Sequence, residues 1–355
     1  MKKQALIIAL KYGVGLGLLA VLIWWHWHEE KDGQEVGLAA ALERPINWLA
    51  FSGAASLCAL SILLTFVRWY ILVRAQDLPF SMPNAMRLGC IGMYWNTFLP
   101  GSIGGDIIKA AFLAREQSRR TAAVATILFD RFVGLCGLFW LITLLGSVLN
   151  LTDVGGSASL TPQAQATLRS IVLTAAALAA GSAGFWFMMG FFSESWSARM
   201  ASRLERIPKI GVSVAELWLA TWFYRRRTPA VTLALGLALV SHAGFVLTFY
   251  FSAQVLSPRS VLPSLAPHFV IVPAGMTFQA LIPTPGGVGA GEAGFGGLYH
   301  VIGSTVAAGT LASLVQRAIM WIIALAGYLM YVRMKATQPA TTPEPGEAAA
   351  GSIRA

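Results

Sequence analysis

Apolar runs of membrane-spanning length alternate along the chain with short polar loops. Runs near 5–27, 47–73, 121–149, 167–192, 229–256 and 306–332 are each long enough for a transmembrane helix, which needs about 20 residues. Two further apolar regions, 85–114 and 266–300, carry a proline–glycine segment inside them. The first reads Pro100-Gly101-Ser102-Ile103-Gly104-Gly105-Asp106 and the second Pro285-Gly286-Gly287-Val288-Gly289-Ala290-Gly291-Glu292. Proline removes a backbone donor and glycine frees the chain to turn, so neither region reads as one continuous helix.

Loop charge assigns the sides through the excess of Lys and Arg in cytoplasmic loops. Lys2 and Lys3 place the N-terminus inside, and the acidic loop with Glu29, Glu30, Asp32, Glu35 and Glu43 lies outside. Arg74 and Arg87 return inside, as do Arg115, Arg119 and Arg120 beyond the first broken region. With both flanks on one face, region 85–114 is expected to enter from the cytoplasm, turn at Pro100–Gly105 and leave by the same face. The loop around Asp153 reads as outside, and the segment from Arg199 to Arg227 as inside. Arg333 and Lys335 place the C-terminus inside, so region 266–300 is expected to open outward. The two halves, about 1–150 and 164–335, then have opposite topology.

Spacing supports a duplication. An arginine follows each carboxylate by 25 residues, Arg131 after Asp106 and Arg317 after Glu292. Pro285 follows Pro100 by 185 residues, Arg317 follows Arg131 by 186, and Leu247-Thr248-Phe249 repeats Leu64-Thr65-Phe66 at 183. The expected fold is therefore an all-α polytopic membrane protein, an inverted-topology repeat with two re-entrant helical hairpins.

Composition agrees. The apolar fraction is 56% and charged residues are 12%, against roughly a quarter in soluble domains. The net charge of +10 is spread over short loops, which suits anionic headgroups and argues against nucleic acid. Cys58, Cys90 and Cys136 lie singly in apolar runs and read as packing residues. The first run ends Trp24-Trp25-His26-Trp27, an interfacial aromatic belt and not a signal-peptide cleavage site. Gly13 and Gly17 have the spacing of a helix-packing pair. Segment 193–228, with Trp196, Met200, Leu204 and Ile207 set among arginines, fits either an interfacial helix or one packed on the inner ends of the spans. The Pro/Thr/Ala/Gly/Glu tail, 336–355, is expected to be a disordered cytoplasmic extension.

Irregular backbone at membrane depth is tolerated only where protein buries it or water reaches it, so the two glycine-rich breaks imply a packed or hydrated centre. A lone charge at the bilayer centre costs about 2.5–3.5 kcal/mol. Asp106, Asp130, Arg131, Glu292 and Arg317 together would cost more than ~10 kcal/mol facing lipid, so they are expected to face inward and pair. Asp106 with Arg131 and Glu292 with Arg317 is one pairing; crossed pairs between the halves fit as well. The half-helix after each break would turn its positive end to the centre, where an anion such as phosphate is favoured.

The substrate-binding candidates are Asn96, Pro100, Gly101, Gly104, Gly105, Asp106, Lys109, Asp130, Arg131, Pro285, Gly286, Gly287, Glu292, Gln316 and Arg317. The same ion pairs serve equally as register-fixing contacts. Asn96 reads first as a cap, Arg68 as a snorkelling anchor at its span's inner end, and His242 as a packed, satisfied histidine. No catalytic residue, metal site or cofactor is expected. Gly289-Ala290-Gly291-Glu292-Ala293-Gly294 matches a dinucleotide fingerprint, but that motif requires a strand–helix unit absent from this pattern.

The segments Asn96–Asp106, Asp130-Arg131 and Ile282–Gly289 with Glu292 resemble the lysylphosphatidylglycerol synthase transmembrane region family, and the resemblance runs to about residue 335. It implies a multi-pass protein of the bacterial plasma membrane with flippase-like activity: movement of an anionic phospholipid or a lipid-linked sugar between leaflets. The fused members carry a soluble aminoacyl-transferase domain after the membrane region. Here only a short tail follows, so no synthase activity is expected of this chain. The alternative is a non-transporting accessory subunit of a lipid-modifying enzyme or glycosyltransferase.

Overall fold

The computed structural model describes residues 2–31, 33–98, 104–117, 120–149, 160–208, 210–282 and 284–337. Pro100 and Gly101, the loop around Asp153 and the tail beyond 337 lie outside the described residues.

The described residues are mainly helical, with a two-stranded antiparallel turn, β1 (Glu30–Lys31) with β2 (Gln34–Glu35). In order, the helices are α1 (Lys2–Trp25), α2 (Leu38–Leu42), α3 (Trp48–Ala75), α4 (Met82–Phe98), α5 (Gly104–Glu116), α6 (Arg120–Val148) and α7 (Pro162–Met189). There follow α8 (Glu194–Leu204), α9 (Gly211–Arg225), α10 (Thr228–Leu256), α11 (Leu265–Leu281), α12 (Ala290–Val301) and α13 (Val306–Thr337). Among the described residues, α3, α6, α7, α10 and α13 hold stretches long and apolar enough to cross a membrane, so the chain is an all-α polytopic membrane protein. The helix placed at 306–332 runs on through Ala336 and Thr337, residues the sequence assigned to the tail.

Both broken regions are helix–break–helix pairs. Helix α4 packs on α5 across the 99–103 segment, and α11 packs on α12 across a 3-10 turn at Pro285–Gly287. Gly286 has φ 56° and Gly287 φ 74°, a left-handed backbone that glycine adopts at no steric cost. Gly286 also sits against the first half: a Cβ there would lie 2.8 Å from the Thr97 carbonyl oxygen near the end of α4. The second break and the approach to the first are in direct contact.

Helices α3 and α10 run antiparallel along each other. The Asn47 N–H donates to the Val255 carbonyl (3.1 Å), Gly53 faces Phe251, and Gly244 abuts Ser61 Oγ. The remaining packing is reciprocal between the halves. Helix α4 lies on α13, where Gly327 meets the Cys90 carbonyl, while α11 lies on α6, where Gly146 meets Val270. Helix α7 stays peripheral, with 11% of its apolar window buried.

Segment 193–228 forms α8 and α9, a helical hairpin whose second helix packs inward. Trp218 Nε1 donates to Ser197 Oγ (3.0 Å), and Tyr224 stacks on Phe129 of α6 with centroids 3.9 Å apart. The Tyr224 hydroxyl donates to the Leu72 carbonyl at 2.8 Å. Helix α9 packs on α6, α7 and α10, while α8 packs on α9 and leaves most of its surface exposed. Within this chain Gly13 and Gly17 face open space, and Gly15 between them makes the close contact, against the Val288 carbonyl and Thr284. The face of α1 that meets the bundle is one residue pair out of register with the Gly-x-x-x-Gly spacing.

The α3–α10 seam yields a prediction. Gly244→Ala puts a methyl group against Ser61 Oγ, an overpacking cost of about 1–3 kcal/mol, read as a lower thermal midpoint in detergent. Ser61→Ala in the same chain removes the clashing hydroxyl and is expected to restore most of the midpoint. If the two substitutions add independently, this seam is not as described.

Candidate functional site

Each carboxylate after a break lies in the first turn of its half-helix, Asp106 in α5 and Glu292 in α12, where the positive end of the helix stabilises negative charge. The breaks put those helix starts in the interior, opposite the arginines that α6 and α13 supply. The pairing is the within-half one. Arg131 Nε donates to Asp106 Oδ2 at 2.5 Å, and Arg317 Nε donates to Glu292 Oε1 at 2.8 Å.

The second pair is a closed clasp. Glu292 is fully buried and Arg317 is 9% exposed. Glu292 also accepts from the Gly289 N–H (2.7 Å) and Ser313 Oγ (3.3 Å), while Arg317 donates to the carbonyls of Gly286 (2.6 Å) and Gly287 (3.1 Å). One arginine thus satisfies the backbone oxygens that the 3-10 turn leaves without helical partners. Arg131 differs in setting: its side chain is 43% exposed along a cavity.

That cavity, of ≈450 Å³, lies between the two broken pairs. Thr97 and Gly286 line it where the two pairs meet, and α3, α4, α5, α6, α10, α11 and α13 supply the rest of its wall. Of the sequence candidates, Asn96, Asp106, Lys109, Asp130, Arg131, Gly286, Gln316 and Arg317 line it. Glu292 and Gly287 stand just behind, in the clasp. Gly104 begins α5, and Gly105 packs on Gly92 and Asn96 at the α4–α5 crossing. Pro285 opens the 3-10 turn. Asn96 acts as the expected cap, its Oδ1 accepting from the Gly105 N–H at 2.8 Å, while also facing the cavity.

Arg68 is the main correction. It does not snorkel to an interface; its guanidinium lies buried in the cavity wall in a two-pronged pair with Asp130, Nε to Oδ1 at 2.8 Å and Nη2 to Oδ2 at 3.0 Å. The sequence placed Asp130 inside without a partner. The partner stands 62 residues away on another helix, a separation that no local spacing reveals. His242 is also reassigned. Its Nε2 lies 3.0 Å from the Gly134 carbonyl, but Nδ1 is buried without a hydrogen-bond partner, so the ring is packed yet only half satisfied.

The cavity wall therefore carries four cations, Arg68, Lys109, Arg131 and Arg317, and two carboxylates, Asp106 and Asp130. Glu292 offsets Arg317 from behind. Lys109 remains, outside every ion pair among the described residues, with Nζ 3.7 Å over the Trp69 ring. A water-filled or ligand-filled space with one uncompensated positive charge attracts an anion.

No solved structure matches the chain. A UPF0104 membrane protein of Pyrococcus horikoshii is 26% identical over 136 residues, which are 38% of this chain and 37% of that relative's own length. Residues 9–327 match the family described as the Lysylphosphatidylglycerol synthase TM region. The broken helix pairs, with their carboxylate–arginine pairs, thus sit inside a match that covers nearly all of the described chain, and the protein belongs to that family.

Proposed function

We propose that this protein is a flippase-like transporter that moves an anionic phospholipid or a lipid-linked sugar between the leaflets of the bacterial inner membrane, with both termini cytoplasmic. The observation that carries this reading is the cavity itself: a net-cationic space of ≈450 Å³ with a largely apolar lining, set between two broken helix pairs inside an apolar bundle. Its volume lies within the range of small-molecule sites. A headgroup fits there while the acyl or prenyl chains stay in lipid. Arg131, Lys109 and Arg68 hold the anion, Asp106 and Asp130 balance the arginines when the site is empty, and the Arg317–Glu292 clasp keeps the second break in shape.

The inverted repeat and the two re-entrant hairpins belong to the same reading, and three observations support them. Helices α5 and α12 have 13 and 12 residues, so at ~1.5 Å per residue they reach about 20 Å, short of the ~30 Å hydrocarbon core. The packing is crossed, α4 on α13 and α11 on α6. Finally, Ser61 and Gly244, which touch, are 183 residues apart, the same offset as the repeated Leu-Thr-Phe triplet. Equivalent residues meeting each other is what a two-fold axis between the halves produces.

The arginines are expected to separate by role. Arg317→Gln removes the charge partner of a buried carboxylate and the guanidinium donors of the Gly286 and Gly287 carbonyls, of which Gly286 keeps Gln279, at a cost of about 3–5 kcal/mol, so the purified protein should lose much of its thermal stability. Arg131→Gln removes a cavity-facing charge and should cost distinctly less. In liposomes carrying a headgroup-labelled phospholipid, leaflet accessibility to a membrane-impermeant quencher reads translocation. The native protein is expected to equilibrate the label, and Arg131→Gln to slow it at least tenfold. Translocation by Arg131→Gln at the native rate would defeat the anion-holding role, and an inert native protein across a panel of anionic lipids would defeat the transport reading.

A further inference from the structure

The α3–α6–α10 end of the cavity holds a group of side chains that neither Pro-Gly break supplies. Arg68 and Asp130 bind each other there, yet among the described residues Arg68 Nη1 is buried with no hydrogen-bond partner, and so is His242 Nδ1. Both residues line the cavity, at 6% and 7% exposure. An unmet buried donor and an unmet buried acceptor each cost roughly 1–3 kcal/mol, and the two occur here in one wall. The acceptor assignment follows from geometry. His242 Nε2 faces the Gly134 carbonyl at 3.0 Å, a partner that only accepts, so Nε2 carries the proton and Nδ1 of the neutral ring offers a lone pair.

Charge narrows the ligand further. Arg68 is neutralised by Asp130, Arg131 by Asp106 and Arg317 by Glu292. Lys109, 8% exposed, stands outside every ion pair among the described residues and leaves the group one positive charge in excess. One net charge matches a phosphodiester, which carries one negative charge, better than a phosphomonoester, which carries up to two. The lone pair on His242 then asks for a hydrogen-bond donor on the same ligand, close to the phosphate.

We propose that this end of the cavity is a headgroup subsite for a phosphodiester bearing a hydroxyl or amine donor beside the phosphate: Lys109 and Arg68 Nη1 take the anion, and His242 Nδ1 accepts from the donor. The inference deepens the transport reading and rests on it for the origin of the ligand. His242 is the specificity-determining residue. It adds nothing to the attraction for charge and discriminates between headgroups of equal charge.

The test compares two probes of equal charge on the purified full chain, by calorimetric titration in detergent. Dihexanoyl phosphatidylglycerol carries hydroxyl donors next to its phosphate, and dihexanoyl phosphatidylmethanol carries none. The native protein is expected to favour the glycerol ester by about fivefold, the value of one hydrogen bond to a buried acceptor. His242→Phe should make the two probes equal by weakening only the glycerol ester. His242→Gln, which keeps a donor for the Gly134 carbonyl and an acceptor for the ligand, should retain the preference and shows that the effect is not misfolding. Lys109→Met should weaken both probes alike. Deacylated glycerophosphoglycerol separates the sources. If it binds with the same His242 dependence, the occupant is a free diester; if only the acylated probes bind, it is a lipid. Equal affinity for the two acylated probes in the native protein, or a preference surviving in His242→Phe, overturns the subsite, as does failure of all three probes to bind. Because binding and not movement is read, the His242 signature in a protein that never exchanges lipid would retire transport and leave the subsite. Lipid exchange with no His242 signature would do the reverse.

Discussion

Charge buried in an apolar bundle has to be answered at once by opposite charge or by backbone dipoles, and the centre of this protein is arranged around that requirement. Arg317 shows it in one residue. Its guanidinium reaches Glu292 and the carbonyls of Gly286 and Gly287 together, so the same group neutralises a buried carboxylate and closes the broken backbone. The turn can exist in the interior because that arginine satisfies it, and the arginine can be buried because the turn and the carboxylate satisfy it. Neither is stable without the other, which ties the second break to α13 and α13 to the rest of the bundle.

The first half uses the same chemistry with a different outcome. Asp106 and Arg131 pair across an equal sequence interval, but Arg131 stays open along the cavity. A second pair, Arg68 with Asp130, has no charged counterpart in the other half: by the repeat offsets those positions are Phe251 and Gln316. One half closes its charges into structure, and the other exposes them to a space large enough for a headgroup.

Much of this was legible in the sequence, and the reasons are local. Helix–break–helix pairs, a carboxylate soon after each break and an arginine 25 residues on are features within one stretch of chain, so spacing offers the pairs Asp106–Arg131 and Glu292–Arg317 beside crossed ones, and the structure has the within-half set. Arg68 was misread because its meaning lies in a partner on another helix: beside apolar neighbours and close to its span's inner end, it matches the pattern of an interfacial anchor. The half-satisfied ring of His242 was hidden for the same reason, since the carbonyl that fixes its tautomer comes from Gly134 on α6. The Gly13/Gly17 spacing does not name its neighbour, and within this chain the close contact of α1 is made by Gly15 instead. Segment 193–228 is equally balanced in the sequence between membrane surface and protein, and the aromatic contacts of Trp218 and Tyr224 place its second helix, α9, against the bundle.

The account's central claim is that a headgroup enters the space where the two broken helix pairs meet. Photolabelling by a phospholipid with a diazirine in its headgroup, with the labelled peptides identified by mass spectrometry, tests that claim most directly. The account predicts label on cavity-lining residues such as Met93, Met276 and Met320, suppressed by excess unlabelled anionic lipid. Label confined to outward faces such as α7, with none in the cavity, would contradict it.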